Sequence, residues 1–469
     1  MPNMIAAPDI MAMATAQLTN IGSAISQAQV DVLARTTALP SAAADEVSAA
    51  AALLFDGYAQ RYHMLLDHVE AFHDVFVQAL AAAAAAYTHT EATNTAGLAP
   101  DDLSSTSDQR TALIMGYTGI ATPFPRYLTN IQNSYIRRFF PDAQPMGVFT
   151  PEQFWPVTPN LGNHLTFDQS VSIGVTQLDA AIRQQLTAGH DTVVFGYSQS
   201  STVATAEIIA LSALPVDLRP DPSQLTFILT GNPNNPNGGL LTRFPDFYLP
   251  FLNVHFSGAT PADSPYPTYI YTAQYDGIAH TPQYPLNVVS DLNAFMGYFT
   301  VHNTHPFLTP EQVAHAELLP TSPGYTGNTQ YYMLLTHDLP LLAPIRAIPF
   351  AGRPLADLIQ PSLRVIVDLG YGSLGPGYDY ADIATPASFV QQINLQAVHD
   401  ALTLGAVQGQ QAALVDLGLL PPSALPTSYP YLPSTNPGLS YSSGQSPRTA
   451  LSQLSGQLGS ILSYIPTFA

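Results

Sequence analysis

The stretch "DTVVFGYSQSSTVATAEIIALSAL", from Asp191 to Leu214, changes its hydrophobic pattern in the middle. Its first half is a short run of β-branched and aromatic residues that ends at Gly196, and its second half has apolar residues at helical spacing. Ser198 lies at the junction. The pattern predicts a buried strand followed directly by a helix, with Ser198 in the turn between them.

Other segments repeat this alternation of strand and helix. The strand-like segments are "TALIMGY", "LTFILTG", "YPTYIYTAQYD" and "LRVIVDLGYG", and "SVSIGVTQLDAAIRQQL" is helix-like. Strands that alternate with helices favour a parallel arrangement, because each crossover places a helix on a face of the sheet. The sequence therefore predicts an α/β fold with a mostly parallel sheet.

Composition excludes several classes of chemistry. All 13 basic residues are arginines, which excludes Schiff-base catalysis and a phosphate-loop lysine, and the net charge of −20 argues against a nucleic-acid partner. The absence of cysteine excludes disulfides, thiolate catalysis and zinc-thiolate sites. We recognise neither a cleavable secretory signal nor a membrane-spanning apolar run in the sequence.

The first hundred residues have a different organisation. Pro40 separates two stretches whose apolar residues recur every three, four or seven positions, as on one face of a helix. The pattern predicts a helical hairpin over residues 1–93 and a polar linker over 94–109. A two-helix hairpin cannot bury both apolar stripes by itself, so we expect either the rest of the chain or another helical protein to cover them.

The segment Gly196-Tyr197-Ser198-Gln199-Ser200 differs from the G-x-S-x-G nucleophile elbow only at its last residue. That elbow needs small residues beside the serine, because the turn from strand to helix is sharp. The strand and helix patterns on either side give the motif its required context. We therefore interpret Ser198 as a nucleophile, although an ordinary turn serine would fit the same pattern.

A serine nucleophile needs a histidine base and a carboxylate, which follow in the order Ser, Asp or Glu, His in α/β hydrolases. Asp276 directly follows a predicted strand, and His302 opens a polar loop after an apolar run. The alternatives left open by the sequence are as follows: Asp263 and Asp291 for the carboxylate, and His305, His280 and His337 for the base.

Two backbone N–H groups are needed to bind the oxyanion of an acyl transfer. The residue after the nucleophile, Gln199, provides one, and the loop Gly116–Gly119 after the first strand is the candidate for the other, with Thr118 as our choice. His63, His68 and His73 lie about 140° apart around a helix, so they do not form a metal site. We predict no metal and no cofactor.

Two parts of the chain resemble known families. Residues 1–93, with Pro8-Asp9 in place of the Pro-Glu pair, resemble the PE domain of mycobacterial PE/PPE proteins. Tyr87 and Glu91 match that family's YxxxD/E signal. The resemblance implies export by type VII secretion, an extracellular or cell-envelope location, a PPE-family partner and a secretion chaperone.

Residues from about 110 to 370 resemble the PE-PPE domain, a cutinase-like serine α/β hydrolase. The stretches that carry the resemblance include "LIMGYTGIATPFPRYL", "VVFGYSQSS", "YDGIAHTPQYPLN" and "VHNTHP". The family's triad corresponds to Ser198, Asp276 and His302. We assign residues 110–415 to this domain and 416–469 to a tail rich in Pro, Ser and Gly that ends in a short helix.

Together, these observations and resemblances predict a secreted serine esterase or lipase. We expect it to hydrolyse short- to medium-chain acyl esters through an acyl-enzyme. Two alternatives remain: an acyltransferase that passes the acyl group to a cell-envelope glycolipid, and a non-catalytic PE/PPE surface protein.

Overall fold

The structure, a computed structural model, describes residues 110–158, 164–374 and 379–440, together with four isolated residues between 40 and 52. The chain divides into two units, Met1–Ser105 and Thr106–Ala469. The predicted hairpin over residues 1–93, with Tyr87 and Glu91, the linker over 94–109 and the predicted terminal helix all lie outside the described residues.

The described part of the second unit alternates strands and helices. Its strands are β1 (Arg110–Met115), β2 (Gln144–Val148), β3 (Asp191–Tyr197), β4 (Leu225–Thr230), β5 (Tyr248–Leu249), β6 (Val254–His255), β7 (Thr268–Ala273), β8 (Glu317–Leu318) and β9 (Thr329–Leu334). Its α-helices are α1 (Pro125–Ile131), α2 (Phe167–Thr187), α3 (Gln199–Ala213), α4 (Leu240–Arg243), α5 (Val288–Thr300), α6 (Pro310–Ala314), α7 (Ala343–Arg346), α8 (Gly352–Asp368) and α9 (Leu395–Asp416). Among these described helices, none is long and apolar enough to cross a membrane.

Seven of the described strands form one sheet in the order β2-β1-β3-β4-β7-β9-β8. Each neighbouring pair from β2 to β9 is parallel, and β8 pairs antiparallel with β9. The prediction of an α/β fold with a mostly parallel sheet is confirmed. The order places β3, β4 and β7 side by side, so the loops that follow them meet at one edge.

Both faces of this sheet are buried, as a parallel sheet requires. Alternate residues of β1 and β3 enter opposite cores because successive side chains of a strand point to opposite faces. Leu113 and Val194 pack with residues of α2 and α3 on one face, and Ile114 and Phe195 pack with residues of α1 on the other. The continuous apolar run in β3, which the sequence shows, is the consequence of this burial on both faces.

The prediction of a strand at "LRVIVDLGYG" was wrong. The first six residues of this segment, 363–368, form the carboxyl-terminal end of α8, which also contains Pro361, and residues 369–371 follow the helix as a turn. Ile359, Leu363 and Val367 recur every four residues and pack into one core cluster beside Tyr275, so the helical period extends through the β-branched run. The short β-branched run has a strand-like local propensity, and the tertiary packing of the longer helix overrides it.

The segment that follows α9 packs against the domain as far as residue 440. Tyr431 and Leu439 are buried. The Tyr431 N–H donates to the Gln408 side chain of α9, and the Gln274 side chain donates to the Ser434 carbonyl. The folded body that holds β7 in place therefore includes this loop.

Helix α5 lies unusually close to the loop after β7, because its buried residues are small or polar. They are Ser290, Asn293, Ala294 and Gly297. A Cβ atom on Gly297 would lie 1.9 Å from the Tyr275 carbonyl oxygen, and one on Gly277 would lie 2.3 Å from the Ala294 carbonyl oxygen. Both glycines are therefore required by the close approach of two backbones.

We predict that Gly297→Ala lowers the free energy of unfolding by about 1–3 kcal/mol, because the added methyl group overlaps a backbone oxygen that has no room to move. The measurement is urea denaturation followed by circular dichroism. Gly147→Ala in β2 is the matched control, since its added Cβ would meet Pro123 only at ordinary contact distances of 3.6–3.7 Å. Equal stability of the Gly297→Ala variant and the parent would contradict the packing described here.

Candidate active site

Ser198 occupies the sharp turn between β3 and α3. Its backbone has φ 58° and ψ −123°, a conformation that costs a non-glycine residue energy and that is characteristic of functional turns. A Cβ on Gly196 would lie 2.8 Å from the Ser200 carbonyl oxygen, so the glycine before the serine is needed for the turn. The structure thus exposes the Ser198 hydroxyl at the carboxyl edge of the sheet.

The last residue of the elbow motif, Ser200, has a structural use of its own. Its Oγ accepts the Tyr197 N–H at 2.9 Å and donates to the Gly116 carbonyl oxygen at 2.6 Å. The serine that replaces the glycine of the motif therefore links the elbow to the loop after β1 through its hydroxyl group.

His302 lies between Ser198 and Asp276. Its Nε2 is 2.9 Å from Ser198 Oγ, and its Nδ1 is 2.8 and 2.9 Å from the two Asp276 oxygens. An ionised carboxylate only accepts hydrogen bonds, so in neutral His302 the proton is on Nδ1. Nε2 is then free to accept the Ser198 proton, which is the arrangement that general-base activation of a serine requires.

Several contacts hold His302 in this orientation. The Tyr197 hydroxyl donates to its carbonyl oxygen at 2.7 Å, and the Tyr298 ring stacks on the imidazole with centroids 5.8 Å apart. Gly231, at φ +53°, leaves the space: a Cβ there would lie 3.1 Å from His302 Cε1. The sequence alone does not identify these supporting residues, because they come from three separate strand and helix ends.

Asp276 is completely buried in the loop after β7. Its Oδ1 accepts the backbone N–H groups of Ile278 and Ala279 at 2.8 and 3.1 Å, in addition to its bonds with His302. Burial by itself would raise the pKa of Asp276, but the nearby histidines His302 and His305 together hold it well below its usual value. The carboxylate is therefore ionised.

The alternative residues have other positions. His305 Nε2 also contacts Asp276, at 3.1 Å from Oδ2. His280 accepts the Tyr275 N–H through Nδ1, and burial lowers its pKa to about 3. His337 is exposed beside Asp338. Within the described residues, neither Asp263 nor Asp291 is hydrogen-bonded to His302.

The structure also brings Thr118 and Gln199 together. Thr118 Oγ1 donates to Gln199 Oε1 at 3.0 Å, and Gln199 Nε2 donates to the Gln153 carbonyl oxygen at 2.9 Å. The Gln199 N–H is at the first position of α3, where a helix provides no acceptor for it. The buried Gln199 side chain therefore holds the Thr118 loop next to Ser198.

Glu152 also supports the Thr118 loop, and the sequence analysis did not identify it. Its carbonyl oxygen accepts the Gly119 N–H at 2.8 Å, and its backbone has φ 47°. Its buried side chain accepts a hydrogen bond from Thr150 through Oε1 only. Burial raises the pKa of Glu152 to about 7, so it is largely protonated below neutral pH.

The comparisons with known proteins identify the family. Residues 4–94 match the PE family and residues 141–372 match the PE-PPE domain. "PE family protein PE3" of Mycobacterium tuberculosis (strain ATCC 25618 / H37Rv) is 56% identical over 478 residues, with 100% of both chains covered. The chain belongs to the PE family.

Two further relatives come from the same strain. "Esterase PE16" is 44% identical, and the match covers 89% of this PE-family chain and 77% of that protein. "SL1278 acyltransferase Chp1" is 36% identical, and the match covers 54% of this chain and 59% of that protein. No group of His, Asp and Glu within the described residues is arranged to hold a metal ion.

We predict that the contribution of Glu152 to stability falls as the pH rises from 4.5 to 7. Its carboxyl group binds a proton more tightly in the folded state than in the unfolded state, so deprotonation in that range favours unfolding. Glu152→Gln should therefore be more stable than the parent at pH 8, by at most about 3 kcal/mol, and close to it at pH 4.5.

Denaturation midpoints of parent and variant at pH 4.5, 6 and 8 test this difference. The exposed Glu317→Gln substitution is the control for a change of charge at the surface. A Glu152→Gln effect that is the same at all three pH values would contradict the assignment.

Proposed function

We propose that the chain is a serine esterase in which Ser198 is the nucleophile, His302 the general base and Asp276 the residue that orients His302. The single observation that supports this best is the continuous set of contacts from Ser198 Oγ through His302 to Asp276 at a strained strand-to-helix turn. The chain has no cysteine, so a thiolate nucleophile is excluded.

In the proposed reaction, His302 Nε2 takes the Ser198 proton while Oγ attacks the carbonyl carbon of an ester. The carbonyl oxygen becomes an oxyanion, bound by the N–H groups of Gln199 and Thr118. Collapse of this intermediate breaks the bond to the alcohol oxygen, which takes the proton from His302. Water then attacks the acyl carbon of the acyl-serine with His302 again as the base. The bond from the acyl carbon to Ser198 Oγ breaks, Oγ takes the proton back from His302, and the acid leaves.

The outer face of α5 supports an apolar acyl group as the substrate. Its exposed side chains include Leu292 at 50%, Phe295 at 62% and Phe299 at 54% relative exposure, and the helix ends two residues before His302. Tyr298, on the same helix, stacks on His302 and so continues this apolar surface to the nucleophile. The family relationship to a protein named an esterase agrees with this substrate class.

The second candidate is an acyltransferase, because one relative carries that name. The same acyl-serine would then pass its acyl group to a sugar hydroxyl of a cell-envelope glycolipid in place of water. The steps up to the acyl-enzyme, and the residues that perform them, are the same in both reactions. The nature of the acceptor is the only difference.

We also propose that the chain is exported by type VII secretion to the cell envelope or beyond, with a PPE-family protein paired to its amino-terminal region and a chaperone for that region. The match of residues 4–94 to the PE family and the Tyr87–Glu91 spacing support this proposal.

We predict that Ser198→Ala lowers kcat/KM for p-nitrophenyl esters by at least about a thousandfold, because the nucleophile is lost. Asp276→Asn should lower kcat by about ten-thousandfold, since an amide favours the wrong tautomer of His302. Hydrolysis of a chain-length series gives both values.

Asp263→Asn is the control that removes a different carboxylate. If Ser198→Ala is as active as the parent, Ser198 is not the nucleophile. If parent and variant are equally inert, the assay is repeated with a glycolipid acceptor, and failure there also excludes the acyltransferase.

We predict that the triple variant Leu292→Ser, Phe295→Ser, Phe299→Ser loses about tenfold more activity on long-chain esters than on p-nitrophenyl acetate. These side chains offer the apolar surface along which a long acyl chain would lie, whereas acetate has no chain to place there. The control is a triple serine variant at Leu404, Val407 and Leu414, which are exposed on α9. Equal losses on both substrates would exclude a role of α5 in acyl binding.

A further inference from the structure

Thr230 is the last residue of β4, the strand between the one that ends at the nucleophile and the one that leads to Asp276. Its carbonyl oxygen accepts the Ser198 N–H at 3.1 Å and the Ser201 hydroxyl at 3.1 Å. Its backbone therefore holds the strained turn that carries the nucleophile.

The side chain of Thr230 is linked to Asp276 through His305. Its hydroxyl is 2.7 Å from His305 Nδ1, and His305 Nε2 is 3.1 Å from Asp276 Oδ2. All three side chains are buried. The series Thr230–His305–Asp276 thus reaches Oδ2, the carboxylate oxygen that the Ile278 and Ala279 amides do not bind.

The directions of these hydrogen bonds follow from the groups involved. The Asp276 carboxylate only accepts, so His305 donates through Nε2–H. In neutral His305, Nδ1 then has a lone pair, which accepts the Thr230 hydroxyl proton. The Thr230 hydroxyl accordingly selects the tautomer of His305 that is able to bind Asp276.

We propose that Thr230 and His305 are positioning residues of this active site, and that together they fix the plane of the Asp276 carboxylate against His302. The proposal rests on the proposed function. Without the bond to His305, Oδ2 would be held only by His302, and the plane of the carboxylate would be fixed less firmly about its Cβ–Cγ bond, although the Ile278 and Ala279 amides still hold Oδ1. His302 would then lose its alignment with Ser198 Oγ.

The buried surroundings of His305 favour its neutral form, which is the form that these hydrogen bonds require. Burial lowers the pKa of His305 below its usual value, against the opposing effect of Asp276. Among the described residues, three other titratable groups face His305. The Tyr135 hydroxyl donates to the His305 carbonyl oxygen at 3.0 Å. The ring centroids of Tyr197 and His302 lie 5.7 and 6.2 Å from the centroid of the His305 ring. Burial raises the pKa of Tyr135 and of Tyr197.

The test compares Thr230→Val, which removes the hydroxyl and keeps the shape and the backbone carbonyl, with Thr230→Ser, which keeps the hydroxyl. In the full chain, Thr230→Val should lower kcat about tenfold with KM within about twofold of the parent. The acid limb of the kcat profile should move to lower pH, since a carboxylate that is no longer aligned with His302 stabilises the His302 imidazolium less. Thr230→Ser should restore both values.

Thr226→Val is the matched control, because Thr226 is a buried threonine of the same strand, away from its carboxyl end. A Thr230→Val variant with the kcat and pH profile of the parent would overturn the proposal. So would equal losses in the Val and Ser variants, or a loss that the Thr226→Val control reproduces.

A measurement without turnover separates this proposal from the proposed function. The proton between His302 Nδ1 and Asp276 gives a downfield NMR resonance, which should shift or broaden in Thr230→Val and not in Thr226→Val. If Ser198→Ala keeps its activity, the proposed function fails while this resonance still reports on the contact. If the resonance does not change in Thr230→Val, the positioning role fails even where Ser198 proves to be the nucleophile.

Discussion

The arrangement of the site depends on one ionised carboxylate, Asp276, in a place from which water is excluded. An unpaired buried carboxylate costs several kcal/mol, so it persists only where hydrogen bonds or opposite charge replace its hydration. Two backbone amides, His302 and His305 supply those interactions here, and the pKa of Asp276 lies below its usual value despite complete burial. The orientation of His302 toward Ser198 follows from satisfying this charge.

The close contacts around Asp276 also require an unfavourable backbone conformation at two residues. Ser198 and Tyr275 both have positive φ without being glycine, and each is next to the loop or strand end that forms the site. Such conformations cost about 1–3 kcal/mol each and need well-determined surroundings. Thr230 provides these surroundings for Ser198 through its carbonyl oxygen, and the tight packing of α5 on the Tyr275 carbonyl provides them for the Asp276 loop.

Local patterns in the sequence were sufficient to predict the parallel sheet and the strand before Ser198. They also favoured Ser198, Asp276 and His302, because each follows its own strand or apolar run; the structure brings these three side chains into contact, and their catalytic roles stay a prediction. The local patterns did not predict the helix at "LRVIVD", since the residues that bury it come from distant segments. His305 was considered as a competing base, whereas it contacts Asp276 Oδ2 and has no hydrogen bond to Ser198 in the described residues. Glu152 was missed because its burial depends on the tertiary fold and leaves no sequence pattern. The domain boundaries, the secretion signal and the hairpin stay predictions.

The closeness of α5 also explains its exposed apolar face. A helix whose inner residues are Ser290, Asn293, Ala294 and Gly297 has room for nothing larger on that side, so its large side chains point outward. Removal of apolar area from water contributes roughly 25 cal/mol per Å², and the exposed parts of Leu292, Phe295 and Phe299 do not make this contribution to folding, so stability does not account for them. Burial of these side chains against an apolar ligand would make it. Because Tyr298 joins this face to His302, a ligand bound there would hold one end close to Ser198, which is the position that the acyl group of an ester substrate needs.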